Sequence, residues 1–346
     1  MTRSDFSPTA RPHLGTVRRK AMSLTATDLV HLELVTPQQP LPMVIRPAIA
    51  DLNLVTWAAG HQDFIAQHLR QAGGILFRNF QVKGAAEFEQ FVQTVGGPLL
   101  TYTYGSTPRT QVQGQIYTST EYPADQSIPL HNELAYSRHW PLKIAFFCVQ
   151  PAASGGMTPI ADSRRVFQRL DPQLRDRLRE RQIMYVRNYG DGLDLSWQHV
   201  FQTEDKAVVE AYCQQAEIEW AWQGDRLTTR QVCQAVTTHG ETGVEVWFNQ
   251  AHLFHVSSLK PEVQAALRLG GGFPRNAYYG DGSEIEPTVL QAIREAYSAE
   301  TVRFPWQAGD VLLLDNLLTA HGRDPFAGDR KVLVGMAEPN STLSDR

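Results

Sequence analysis

Cysteine is scarce in this sequence. Cys148, Cys213 and Cys233 are the three among 346 residues. Scattered as they are, they offer neither a disulfide framework nor a thiolate zinc site, and they suit a reducing, cytoplasmic setting as small buried hydrophobes. Long apolar runs are also missing. The stretches at 144–149 and 311–314 have the length of strands, far below the roughly 18–20 residues that span a bilayer. No excess of one charge appears either. The 32 Lys and Arg stand against 36 Asp and Glu, for a net charge of −4. That balance gives no electrostatic reason to expect a nucleic acid or an anionic membrane surface as partner. Residues 1–20 contain Arg3, Arg11, Arg18, Arg19 and Lys20 without a following apolar segment, so they do not read as a secretory signal.

What is present is a chain rich enough in apolar residues, 42% by count, to bury a sizeable core. Residues 1–40 read as a flexible tail and arm, rich in Ser, Thr and Pro and without a period. Apolar spacing predicts helices over 56–71 and 85–95, stopped by Gly73-Gly74 and Gly96-Gly97-Pro98, with a buried strand between them. Residues 110–149 are strand-like. A charged helix over 172–181 and a strand over 183–189 follow. A polar, mixed region around 191–300 reads as an insertion carrying short helices, and further helices are expected at 261–269 and 287–299. Strands at 302–306, 310–314 and 331–336 close the chain. Runs of strands without regular βαβ alternation favour an antiparallel double-sheet core over a Rossmann sheet. The division expected is therefore 1–40 as tail and arm and 41–346 as a single domain.

The strongest local signal is Pro129-Leu130-His131-Asn132-Glu133. Side chains two apart on a strand share a face, so His131 and Glu133 would aim an imidazole and a carboxylate at one point. Alone, such a pair is weak. Far along the chain, the apolar strand 310–314 leads into Thr319-Ala320-His321. Two His and one carboxylate on one face of a metal, with the opposite face open, is the arrangement of non-haem Fe(II) oxygenases. The same three residue types also suit zinc with an open position, as in a hydrolase. Arg330 opens the next apolar strand, where a guanidinium can pair with a carboxylate through two hydrogen bonds. Around these, Arg323 follows the distal His, Asn249 lies in Trp247-Phe248-Asn249-Gln250, and Glu121 precedes the metal strand. Each is a candidate substrate contact with a plain alternative: an ion pair with Asp324, a turn cap and a solvated surface side chain, respectively. His252 and His255 have apolar neighbours and read as packed side chains.

Over about 41–338 the chain resembles the TauD/TfdA (taurine dioxygenase) family of Fe(II)/2-oxoglutarate-dependent oxygenases. The stretches that carry the resemblance are the H-x-E strand, Gly155-Gly156-Met157-Thr158-Pro159 with Asp162-Ser163-Arg164, Trp247 to His252, Tyr279-Gly280-Asp281-Gly282, and the block from His321 to Arg330. Within the clavaminate synthase-like group it is most similar to SyrP-like amino-acid hydroxylases. The resemblance implies an α+β fold with a double-stranded β-helix (jelly-roll) core and flanking helices. It implies His131, Glu133 and His321 as iron ligands, and Thr158 and Arg330 as holders of 2-oxoglutarate. Glu133 stands where many members have Asp, and the interval from His321 to Arg330 is shorter than in taurine dioxygenase. The activity implied is O2-dependent hydroxylation of an unactivated C–H bond in a small molecule. The substrate would be an amino acid, free or tethered to a carrier protein, in specialised, nonribosomal-peptide-like metabolism. A taurine-type sulfonate dioxygenase is the nearest alternative.

Overall fold

The computed structural model describes residues 29–36, 39–102, 104–190, 195–269 and 272–342. Its largest sheet has eight strands in the order Val30–Thr36, Gln39–Pro47, Gly74–Phe77, Val311–Asp315, His139–Gln150, Lys331–Ser341, Ile116–Thr118 and Gln111–Gln113. Neighbours pair antiparallel, except that Gln39–Pro47 runs parallel to Gly74–Phe77.

The unbroken apolar run of Val311–Asp315 follows from its central place in this sheet. Successive side chains point to opposite faces, and both faces are covered. Val311 and Leu313 pack with Trp57, Ile65, Leu69, Phe88, Phe91 and Val92 of the helices Leu54–Ala59, Gln62–Ala72 and Ala85–Gly96. Leu312 and Leu314 point the other way, into a second cluster with Ile144, Phe146, Val334 and Met336. That cluster also takes in Ile160, from a three-stranded sheet ordered Ile128–His131, Thr319–Arg323, Ile160–Asp162. The Phe146 ring of the large sheet lies 5.0 Å from the His321 ring of the small one, so the two sheets meet face to face at the predicted ligand.

A four-stranded sheet, Glu219–Gln223, Arg226–Cys233, Ile183–Tyr189 and Arg275–Tyr279, contributes to a third cluster. Residues of the helices Ser163–Arg169, Pro172–Arg181, Lys206–Gln215 and Pro287–Glu300 pack in the same cluster. Among the described residues no helix is long and apolar enough to cross a membrane.

Four sequence expectations change. Part of the supposed tail, Val30–Thr36, is the edge strand of the large sheet and pairs with Gln39–Pro47. Val30, Leu32 and Leu34 alternate with His31 and Glu33 as a strand requires, although Leu32 and Leu34 lie on an exposed face. Residues 1–28 lie outside the described residues. The helix expected over 56–71 is two helices, because the Gly60 N–H turns back to the Trp57 and Ala58 carbonyls and ends the first. The strand expected at 302–306 reduces to one bridge, Val302 with Ile160. Pro305 lacks the N–H a ladder needs, and Phe304 and Trp306 are buried by packing instead. The region around 191–300 holds a hairpin, Glu219–Gln223 with Arg226–Cys233, as well as helices. Its second strand pairs with Ile183–Tyr189 along the full length of the latter.

Gly322 shows how closely the small sheet is packed. A Cβ there would lie 2.6 Å from the Ile128 carbonyl oxygen, a backbone atom that cannot swing aside. Gly322→Ala should therefore push Thr319–Arg323 away from Ile128–His131. The expected loss is about 1–3 kcal/mol of stability, read as a lower urea midpoint at unchanged slope. An unchanged midpoint would mean that the strands separate freely.

Candidate metal centre

The two histidines meet because their strands are neighbours. Antiparallel register sets His321 directly opposite His131, with ring centroids 4.5 Å apart. Glu133 lies just past the end of the first strand, and Asn316 fixes its backbone. The Asn316 side-chain oxygen accepts the Glu133 N–H at 2.7 Å, and its amide donates to the carbonyls of Glu133 at 3.0 Å and Pro141 at 2.8 Å. Asn132, between the two ligands, points away and donates to the Asn316 carbonyl and the Ser163 hydroxyl. The donor atoms of His131, Glu133 and His321 all lie within 4.8 Å of one another.

The protonation of these groups suits a metal. The Pro129 carbonyl lies 2.8 Å from His131 Nδ1. That contact assigns the proton to Nδ1 and leaves the Nε2 lone pair free to ligate. Burial, with His321 close by, pushes the His131 pKa down to about 3, so the ring is neutral near pH 7. Burial alone would raise the Glu133 pKa. The Arg109 guanidinium, 2.9 Å from Oε2, and His321 together hold it well below the usual carboxylate range. A neutral imidazole at His131, the imidazole of His321 and the ionised carboxylate of Glu133 form a donor set that fits Fe(II).

Beside the triad runs a narrow pocket lined by Thr158, Arg330, Ser119 and Phe146, among others. The Thr158 hydroxyl accepts a hydrogen bond from Trp306 Nε1 at 3.0 Å. Arg330 donates to the Gly156 carbonyl at 3.0 Å and to the Ser119 hydroxyl at 3.3 Å. Burial and the nearby Arg323 push its pKa down to about 10, and among the described residues no carboxylate pairs with it. The Gly155-Gly156 pair is more than a turn. Both residues have positive φ, and a Cβ on Gly156 would lie 3.0 Å from Arg330 Cδ. The glycine leaves the space that the arginine stem uses.

Other candidates are placed differently. Arg323 lines the same pocket, but its guanidinium donates to the carbonyls of Tyr122, Pro123 and Gln126, while Asp324 pairs with Arg303. Arg323 thus ties down the 122–126 loop. Glu121 is exposed and accepts from Thr118. Asn249 is buried, donating to the Ala235 carbonyl and accepting from the Ala251 N–H, which is a turn-capping role. Neither of these two candidate substrate contacts lines the pockets beside the triad, and local hydrogen bonds use their polar atoms. His252 Nε2 lies 3.0 Å from the Leu130 carbonyl and is not a ligand. Sequence reasoning missed Arg109, Asn316 and Trp306. Asn316 sits at the end of the predicted strand and could have been suspected. Arg109 lies in an aperiodic loop with nothing to mark it.

A larger cavity of about 730 Å³ opens on His131 and Glu133 from another side, lined by Arg109, Tyr122, Tyr136, Gln250, Lys260 and Arg275 among others. A two-histidine-one-carboxylate centre with a basic pocket on one side and a larger chamber on another is the plan of a mononuclear metal enzyme that takes two organic reactants. The model of the taurine catabolism dioxygenase TauD, TfdA family matches residues 36–337, and the chain belongs to that family. It is a 2-oxoglutarate-dependent non-haem iron dioxygenase. It is 41% identical over 302 residues to the dapdiamide synthesis protein DdaC of Enterobacter agglomerans, covering 85% of this chain and 92% of DdaC. It is 32% identical over 341 residues to a clavaminate synthase-like protein of Arabidopsis thaliana, covering 90% and 99%. Among solved structures, PvcB of Pseudomonas aeruginosa shares the fold with a TM-score of 0.53 at 16% identity, covering 94% of each chain.

Two outcomes are expected. Replacing His131, Glu133 or His321 with Ala should lower Co(II) or Fe(II) affinity by at least about tenfold, one lost ligand contributing more than the ~1.4 kcal/mol that tenfold represents. Equilibrium dialysis of the folded variants checks this, and unchanged affinity in His321→Ala would remove it from the ligand set. The second concerns His252, which is 4% exposed. Burial, partly offset by the Leu130 carbonyl, pushes its pKa down to about 4. The unfolded imidazole titrates near 6.5, so between these values the unfolded chain binds the extra proton. This contribution is fully present above pH ~6.5 and falls by about 1.4 kcal/mol per unit as pH drops toward 4. Urea unfolding of the metal-free protein at pH 7.5 and 5.0 should show the loss, and His252→Gln should reduce it.

Proposed function

We propose that this dioxygenase hydroxylates an unactivated C–H bond of an amino acid, free or carried as an aminoacyl group on a carrier protein, in specialised metabolism. The observation that carries this reading is the joining of the triad to a pocket that ends at an arginine without a carboxylate partner among the described residues. The name of the relative in dapdiamide synthesis supports the metabolic setting. We read residues 41–346 as one catalytic unit in a reducing, cytoplasmic setting. Its large sheet and small sheet would be the two halves of a jelly roll.

In this reading His131, Glu133 and His321 hold iron, and Thr158 and Arg330 bind 2-oxoglutarate. Bound iron supplies O2 activation: 2-oxoglutarate is oxidised to succinate and CO2, one oxygen atom enters succinate, and the other replaces a substrate hydrogen as hydroxyl. The chain's own residues do the rest. The Arg330 fork matches a carboxylate with parallel hydrogen bonds, and its stem is held by Gly156 and Ser119. Phe146 and Ile128 present apolar walls that keep water from the reacting centre. Asn316 keeps Glu133 aimed, and Arg323 holds the 122–126 loop beside the pocket. The larger cavity receives the substrate.

The test is turnover of a panel of amino acids, free and carrier-bound, with Fe(II), 2-oxoglutarate and O2. Product should gain the mass of one oxygen and appear with an equal amount of succinate. Activity that persists without O2 and 2-oxoglutarate would instead point to a hydrolase using the same three ligands. A charge-assisted hydrogen bond contributes roughly 1.5–3 kcal/mol, so Arg330→Lys should weaken 2-oxoglutarate binding by roughly ten- to a hundredfold, and Arg330→Ala by more. Anaerobic titration of the Fe(II) protein, followed by its visible charge-transfer band, reads this directly. Wild-type affinity in Arg330→Ala would move the co-substrate carboxylate elsewhere.

A further inference from the structure

Among the described residues, Arg109 is a buried cation that contacts the metal centre, lines the larger cavity and keeps nitrogens without a partner. Its side chain is 3% exposed, and one terminal nitrogen lies 2.9 Å from Glu133 Oε2. Its Nε and its other terminal nitrogen are buried without a hydrogen-bond partner, while its guanidinium lies 4.4 Å from the centre of the Tyr102 ring. Buried N–H groups of an ionised guanidinium are costly to leave unmatched. The same side chain lines the co-substrate pocket and the 730 Å³ cavity.

Charge points the same way. In the cavity Arg109, Lys260 and Arg275 face the carboxylates of Glu133 and Asp125. Among the described residues neither Lys260 nor Arg275 is ion-paired, and Arg275 lies over the Phe254 ring at 5.0 Å. With iron and 2-oxoglutarate bound as in the reading above, the divalent cation and the dianion offset each other. Glu133, the ion-pair partner of Arg109, supplies one negative charge against the two positive charges of Arg109 and Arg330, and the Arg323 guanidinium is taken up by three carbonyls. One positive charge is then left over, and Arg109, which lines the cavity, keeps two buried nitrogens without a protein partner.

We infer that Arg109 is the anchor for a carboxylate on the substrate, with Arg275 and Lys260 as an outer basic rim that draws it in. This rests on the functional reading above and narrows its substrate class. A carrier-bound substrate, whose α-carboxylate is consumed in the thioester, would need an acidic side chain or acyl group to satisfy it.

The test uses the full chain loaded with Mn(II), which does not turn over, and saturated with 2-oxoglutarate so that Arg330 is occupied. N-acetylglycine is titrated calorimetrically beside its neutral twin, N-acetylglycinamide, with methanesulfonate and inorganic phosphate as further arms at constant ionic strength. The expected result is binding of N-acetylglycine at least about tenfold tighter than the amide, lost in Arg109→Gln and partly kept in Arg109→Lys. Arg275→Gln should weaken it less. Equal binding of acid and amide, wild-type binding in Arg109→Gln, or no binding of the acid overturns the inference. Preference for methanesulfonate or phosphate overturns the carboxylate assignment in favour of that anion. All three variants are first checked for Mn(II) occupancy, so a lost Glu133 partner is not mistaken for a lost substrate contact. If the wild type fails to bind 2-oxoglutarate, the functional reading itself fails. If it binds 2-oxoglutarate and only the Arg109 comparison fails, the loss is confined to this inference.

Discussion

The pairing of Ile128–His131 with Thr319–Arg323 is the contact on which the rest of the site depends. These segments are almost two hundred residues apart in the chain, yet their register sets His131 opposite His321. A shift by one residue would turn one histidine to the other face. Several neighbours guard against that shift. Gly322 allows the Ile128 carbonyl to approach, Ile160–Asp162 pairs along the other edge of the His321 strand, and Phe146 of the large sheet packs against the His321 ring. The large sheet is therefore the rigid plate against which a short, irregular sheet is held. The unbroken apolar run of Val311–Asp315 serves the site by holding that plate together.

Electrostatics divides the site into functions. Burial keeps His131 neutral, and Arg109 and His321 keep Glu133 ionised, so these two side chains present donor atoms to a cation near neutral pH without a change of protonation. Arg330 and Arg109 are both desolvated cations, but their surroundings differ. Arg330 is braced by a carbonyl and a hydroxyl within a narrow pocket, and Arg109 leans on the metal carboxylate while facing a wide cavity. Arg330 lines only the narrow pocket, whereas Arg109 lines both the narrow pocket and the larger cavity. Arg323 shows that a third arginine nearby need not bind a reactant, since three loop carbonyls take its donors.

Much of this was legible in the sequence because the signals are local. The H-x-E spacing on a strand, an apolar strand leading to a histidine, and a Gly-Gly pair before Thr158 each put recognisable chemistry in a short window. Asn249 and Glu121 stood in equally suggestive windows, and their roles turned on hydrogen bonds to Ala235 and Thr118 that those windows do not specify. Arg109 had no local signal at all. Its importance comes from an ion pair formed across 24 residues of loop and strand.

The residue types gathered at the candidate metal centre, the apolar patterns of the strands that carry or support them, and the family were already set along the chain, since these depend on residue identity and spacing. Tertiary structure alone decided which polar groups face the metal and which are spent on the backbone. It also decided that Val30–Thr36 joins the large sheet, that 219–233 folds as a hairpin, and that Arg109 is buried against Glu133. The physical reason is that burial, strand-edge pairing and the satisfaction of hydrogen-bond donors are properties of neighbours in space. A guanidinium in a loop has the same sequence signature whether solvent or a buried carboxylate surrounds it.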